Sequence, residues 1–227
     1  QVTQAFCAVA ASAAIMNSLE GHISLPVAPI YAPFHWATQF GLMLNPCAVS
    51  KLRYAWDDVE DPVHEHLPHL PFGLGLEMAE TLLRCNLEPS GYTATAHHVD
   101  STSSVAHIRQ AFLDALHSPT KRVMVNFDHG PLQQIRPGGG HFSPIAAYNA
   151  ERDAFLILDV AKYKYPPAWI STPQLVQALN TVDNCGRFTY PEFPVTWDYN
   201  QIEYLREVLG CEVKHRGYII VQPKTPV

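Results

Sequence analysis

The chain has 227 residues, 47% of them hydrophobic and 16% charged, with a formal net charge of −6. That length suits one domain or two small lobes with a full core. The negative balance, without any basic run, argues against nucleic acid and membrane surfaces as partners. No apolar stretch reaches the ~20 residues of a membrane-spanning helix.

From about Ala5 to Leu19 the chain is rich in Ala and Met, which reads as a central, buried helix with Gly21 as its C-cap. Cys7 falls in the first turn. A weaker helix is expected over about 75–84. In 104–117, Val105, Ile108, Phe112 and Leu116 recur at helical spacing. In 172–182, Thr172 reads as a cap and Pro173 as the first helical residue. A further weak helix is expected over about 201–209. Strand patterns occupy 122–127, 142–149, 154–160 and 217–222. Prolines concentrate in 25–33, 66–71 and 165–169, which read as loops of fixed geometry. Helices first and strands later predict an α+β fold in one domain, 1–227. A helical lobe over about 1–118 would pack on a mostly antiparallel β lobe over about 119–227.

The stretch "GGGHFSPIAAYNAERDAFLILDV" (138–160) reads as a hairpin. A register opposing His141 and Asp159 also opposes Tyr148 and Arg152 and leaves a three-residue loop, a common hairpin length. Opposed side chains lie about 4.5–5.5 Å apart at Cβ, within reach of a carboxylate–imidazole hydrogen bond.

A cysteine nucleophile needs an electropositive setting, a base, a group orienting that base, and an oxyanion donor. Cys7 at a helix N-terminus, His141, Asp159 and Gln1, six residues before Cys7, supply these types. The residues alone leave ordinary alternatives open: a core-packing cysteine, a turn histidine, and a buried carboxylate satisfied by backbone amides.

The segment "GHFSPIAAYNAERDAFLILDVAKYKYPPAW" closely resembles the signature block of the phytochelatin synthase family, papain-like cysteine peptidases and transpeptidases. "QAFCAVAAS" resembles the nucleophile segment of that family, and Gln1 matches the oxyanion glutamine of papain-like enzymes. The resemblance implies a papain-like fold, with the nucleophile helix packed on the β lobe. It implies Cys7 as nucleophile, His141 as base and Asp159 as orienter, acting on glutathione or a γ-glutamyl-cysteinyl peptide. It also implies that Asp183 and Arg216 recognise the γ-glutamyl group. Lys162 stands where the plant enzymes usually carry Arg, so a bidentate contact there becomes a point charge. The paired cysteines and the long Cys-rich C-terminal domain of the plant enzymes have no counterpart in these residues. That is the pattern of a short bacterial-type member, and it favours hydrolysis over phytochelatin synthesis.

The resemblance marks 184–215 as an insertion, with Cys185 and Cys211 near its ends. A Cys185–Cys211 disulfide and a second between Cys47 and Cys85 are expectations; free thiols are the alternative. A disulfide would imply an exported or periplasmic setting, and its absence a cytoplasmic one. His64, His66 and His69 are weak metal candidates in a proline-bearing loop, and His97 and His98 form a second pair. No cofactor is required by this reading. Cadmium or zinc would enter as a metal–thiolate of the substrate or as an activator. The expected partner is glutathione or a γ-glutamyl peptide, with a homodimer left open. A non-catalytic metal- or thiol-binding protein built on the histidine-rich loop is the rival reading from another class.

Overall fold

The computed structural model describes residues 6–28, 32–51, 74–132, 140–183 and 214–225. Its centre is the apolar run "RVMVNFD", which forms β2 (Arg122–Asp128). Because this run is buried along nearly its whole length, it can only be an interior strand. It lies between β8 (Gly217–Pro223) and β3 (Gly140–Asn149) in a six-stranded antiparallel sheet. Beyond β8 lies β1 (Tyr92–His98), and beyond β3 lie β4 (Ala154–Ile157) and β5 (Ala168–Ser171).

Strand alternation sends Met124, Phe142, Ile219 and Val221 to one face of the sheet. There they pack with α1 (Cys7–Ser18), α2 (Gln39–Met43), α3 (Pro46–Lys51) and α4 (Leu76–Leu87). Val123, Val125, Phe127 and Tyr218 face the other way, onto α5 (Val105–Leu116) and α6 (Thr172–Leu179). Helices therefore cover both faces, and the architecture is α+β as expected. A helix bearing the cysteine at its start packs on the antiparallel sheet, as the resemblance implies.

Several boundaries differ from expectation for local reasons. The first helix starts at Cys7 rather than Ala5, and its C-cap is Leu19, with Gly21 taking a positive φ two residues later. Ser171, not Thr172, is the N-cap of α6, and α6 stops at Leu179. Val182 and Asp183 then form β6, paired with β7 (Lys214–His215). Strand β1 was not expected, because "YTATAHH" is largely polar. Among the described residues it is an edge strand, paired with β8. Gly217 permits that pairing: a Cβ there would lie 1.9 Å from the His97 carbonyl oxygen. The expected helix over 201–209 lies outside the described residues.

The hairpin register is also different. Asn149 opposes Ala154 and Tyr148 opposes Phe155, leaving the four residues 150–153 between the strands. A bulge between Ile145 and Ala147 shifts the register again, so that Ile145 meets Ile157. The cause lies at Asp153, which takes φ 45° in the turn. Its carboxylate accepts from Arg109 Nε and Nη2 (2.8 and 2.6 Å), Tyr148 Oη (2.8 Å) and Thr172 Oγ1 (2.7 Å). These bonds hold the turn against α5 and α6 and push the carboxyl well below the usual carboxylate range, chiefly through the Arg109 hydrogen bond. Asp153→Ala is expected to cost roughly 2 kcal/mol. Urea unfolding should show the loss in midpoint, with a smaller loss in Asp153→Asn, which tolerates the same φ.

Candidate active site

Cys7 is the first residue of α1, and Phe6 before it provides no side-chain cap. The N–H groups of the first turn therefore gather around Cys7 without a capping side chain. Helix α1 carries so many small residues that it can be buried from Cys7 to Met16, apart from the exposed Ala14. The Cys7 thiol is buried and not disulfide-bonded.

His141 follows Gly140 at the start of β3, opposite Phe127 of β2 rather than opposite Asp159. Asp159 lies past the end of β4, in the loop that the bulge displaces. The loop is held by the Leu158 N–H donating to the Pro144 carbonyl (3.0 Å) and the Ala161 N–H donating to Asp159 Oδ1 (2.7 Å). From there Asp159 Oδ1 accepts from His141 Nε2 at 2.8 Å, and both side chains are buried. The cross-strand register was thus wrong, yet the contact it predicted is present. Burial disfavours the imidazolium, but the Asp159 hydrogen bond and the neighbouring Cys7 and Asp159 groups outweigh it and raise the His141 pKa to about 9. The structure therefore brings Cys7, His141 and Asp159 together, and both neighbours favour the imidazolium form of His141.

A second polar cluster surrounds Arg216, of which only 2% is exposed. Its Nη1 donates to Thr181 Oγ1 (3.0 Å) and the Val182 carbonyl (2.7 Å). Its Nη2 lies 3.4 Å from Asp183 Oδ1, and Nη1 lies 3.7 Å from Asp128 Oδ2. Asp183 is also held by Asn126 Nδ2 at 3.2 Å. Among the described residues, two buried atoms here have no hydrogen-bond partner: Arg216 Nε, a donor, and Asn126 Oδ1, an acceptor. Both border exposed Gly140, where a Cβ would stand 3.0 Å from Arg216 Nε and 3.5 Å from Asn126 Oδ1. Gly140 thus leaves open the side on which the orphaned donor and acceptor lie, one residue from His141.

Asn126, Asp128 and His129 were not singled out from the sequence. The signal was available in "VMVNFDHG": polar residues closing a fully apolar strand must find partners when buried. Lys162 is exposed and makes no hydrogen bond or ion pair among the described residues. His98 Nε2 bonds Glu77 at 2.8 Å, and His97 stacks on Tyr218. Cys47 and Cys85 are joined by a disulfide that ties α3 to α4. Gln1, His64, His66, His69, the pair Cys185 and Cys211, and most of the expected insertion (residues 184–213) lie outside the described residues.

A family description, Phytochelatin synthase, matches residues 1–189. Glutathione gamma-glutamylcysteinyltransferase 1 of Triticum aestivum is 29% identical over 183 residues, 81% of this chain and 31% of that protein. Glutathione gamma-glutamylcysteinyltransferase 3 of Lotus japonicus is 36% identical over 115 residues, 49% of this chain and 22% of that protein. The glutathione gamma-glutamylcysteinyltransferase of Schizosaccharomyces pombe is 26% identical over 182 residues, 80% of this chain and 37% of that protein. The matched segments thus span well under half of these relatives. With 189 of its 227 residues inside the family description, the chain belongs to the phytochelatin synthase family.

Proposed function

We propose that the chain is a thiol peptidase that removes glycine from glutathione or related γ-glutamyl-cysteinyl peptides. The observation that carries this reading is a buried imidazole hydrogen-bonded to Asp159, with its pKa raised in part by the neighbouring free cysteine at a helix N-terminus. A positive charge beside a sulfur favours its ionised, nucleophilic form. Cys7 Sγ attacks the Cys–Gly carbonyl, and the C–N bond breaks as His141 gives its proton to the leaving glycine amine. A γ-glutamyl-cysteinyl thioester remains on Cys7. His141, now neutral, takes a proton from water as it attacks the thioester, releasing γ-glutamyl-cysteine and restoring the Cys7 thiolate beside protonated His141. Asp159 keeps the imidazole oriented and balances its charge. The Cys7 backbone N–H and Gln1 are the proposed oxyanion donors.

The cluster beside Gly140 suits the α-amino acid head of a γ-glutamyl group. Arg216 Nε would meet its carboxylate, while Asn126 Oδ1 and Asp183 would meet its ammonium. In this reading the head satisfies both orphaned atoms. Lys162, exposed near the loop of Asp159, would contribute at most a mobile charge.

The second reading is transpeptidation, in which the amine of another glutathione replaces water and a phytochelatin forms. The names of the relatives favour it. Cadmium or zinc would then enter bound to the substrate thiols. Millimolar glutathione with and without cadmium, followed by mass spectrometry of products, separates the two. Free γ-glutamyl-cysteine exceeding phytochelatin is the expected result. Phytochelatin in excess would establish the second reading, and neither product would overturn both.

A further inference from the structure

His129 opens the turn after β2, its carbonyl accepting from the Leu132 N–H (3.1 Å), and is only 7% exposed. Its ring stacks on Tyr165 at 4.4 Å between centroids and lies 4.8 Å from the ring of His141. Phe127 packs edge-on against both imidazoles. The mechanism proposed above gives His129 no task. Yet one nitrogen of His129, one of His141 and a carboxylate oxygen of Asp159 lie within 4.8 Å of one another, all three residues buried.

We propose that His129, His141 and Asp159 form an inhibitory site for a divalent cation of the zinc class. Two imidazoles and one carboxylate make the donor set of many zinc sites, whereas calcium and magnesium favour all-oxygen ligation. Zinc bonds of 2.0–2.1 Å place tetrahedral ligands about 3.4 Å apart, so no pair, all lying within 4.8 Å, need close by more than about 1.4 Å. The aromatic walls hold the His129 ring in place beside the pair, which limits what the ion must reorganise. Coordination displaces the proton shared by His141 Nε2 and Asp159 Oδ1, which leaves to solvent. The ion then occupies the imidazole that the reaction requires, and turnover stops. Free thiol competes for the same ion, so excess substrate keeps the enzyme open and excess metal closes it. The inhibitory consequence rests on the reading of His141 as the catalytic base; the binding itself does not.

The test titrates cobalt(II) into the full-length Cys7→Ala protein, whose lost thiol cannot be mistaken for the site, and follows the visible d–d bands. We expect one tetrahedral equivalent that disappears when His129→Phe is added. With Cys7 intact, His129→Phe should weaken zinc inhibition of glycine release at least about tenfold, with the metal-free rate close to wild type. Should the phenylalanine variant fail to fold, His129→Gln repeats the comparison. Cobalt binding unchanged by substitution of His129 would overturn the site. Zinc inhibition unchanged by the same substitution would overturn its regulatory role. If the protein releases no glycine at all, the cobalt titration still decides whether the ion binds.

Discussion

Replacing Cys7 with alanine is expected to lower glycine release from glutathione by at least about 10³-fold. No other described residue offers a free thiol, and Cys7 lies close enough to the buried His141 imidazole to raise its pKa. Alanine is the best helix former and leaves only a small gap at the start of α1, so the variant should fold. Its far-UV spectrum and urea midpoint should stay near those of wild type. Activity is then lost through chemistry and not through unfolding. Release that persists in purified Cys7→Ala protein would remove the nucleophile from the mechanism.

The second large effect is expected at Asp159. Asp159→Asn keeps the size of the side chain and an oxygen for the Ala161 N–H, but removes the charge facing His141. The imidazolium then loses its buried counter-charge and part of its orientation. The kcat should fall on the order of 10²–10⁴-fold, with little change in KM, because the carboxylate acts on the base and not on bound substrate. Steady-state kinetics at several glutathione concentrations separates the two parameters. An unchanged kcat would reduce Asp159 to a structural anchor for its loop. A large KM effect alone would move it into substrate binding.

Much of this arrangement was legible in the sequence, and the failures have definite causes. Helix α5 and strands β2 and β8 announce themselves through apolar spacing, since each buries one stripe or a whole run. Strand β1 does not, because an edge strand of Thr, Ala and His carries little hydrophobic signal. The hairpin register failed at Asp153. Its bonds to Arg109 and Thr172 come from distant parts of the chain, so loop length was no guide. His141 and Asp159 still meet because the bulge in β3 returns the Asp159 loop to the imidazole. The pairing of Cys47 with Cys85 was one option among several, and only the approach of α3 to α4 selects it.

Cys7 and His141 stood out through their local sequence, whereas Asn126 and His129 did not. A single polar residue in a strand has no periodicity to betray it, and its role depends on what the neighbouring strand brings. Here that neighbour is β3, which sets Gly140 beside Asn126 and His141 beside His129.

The central claim is that Cys7 carries the γ-glutamyl-cysteinyl group. Acid quenching of the enzyme during turnover of glutathione, then peptide mapping by mass spectrometry, reads this directly. The predicted result is a peptide containing Cys7 heavier by one γ-glutamyl-cysteinyl unit, attached as a thioester that hydroxylamine removes. Glycine release with that peptide unmodified, or with the acyl group on another residue, would contradict it.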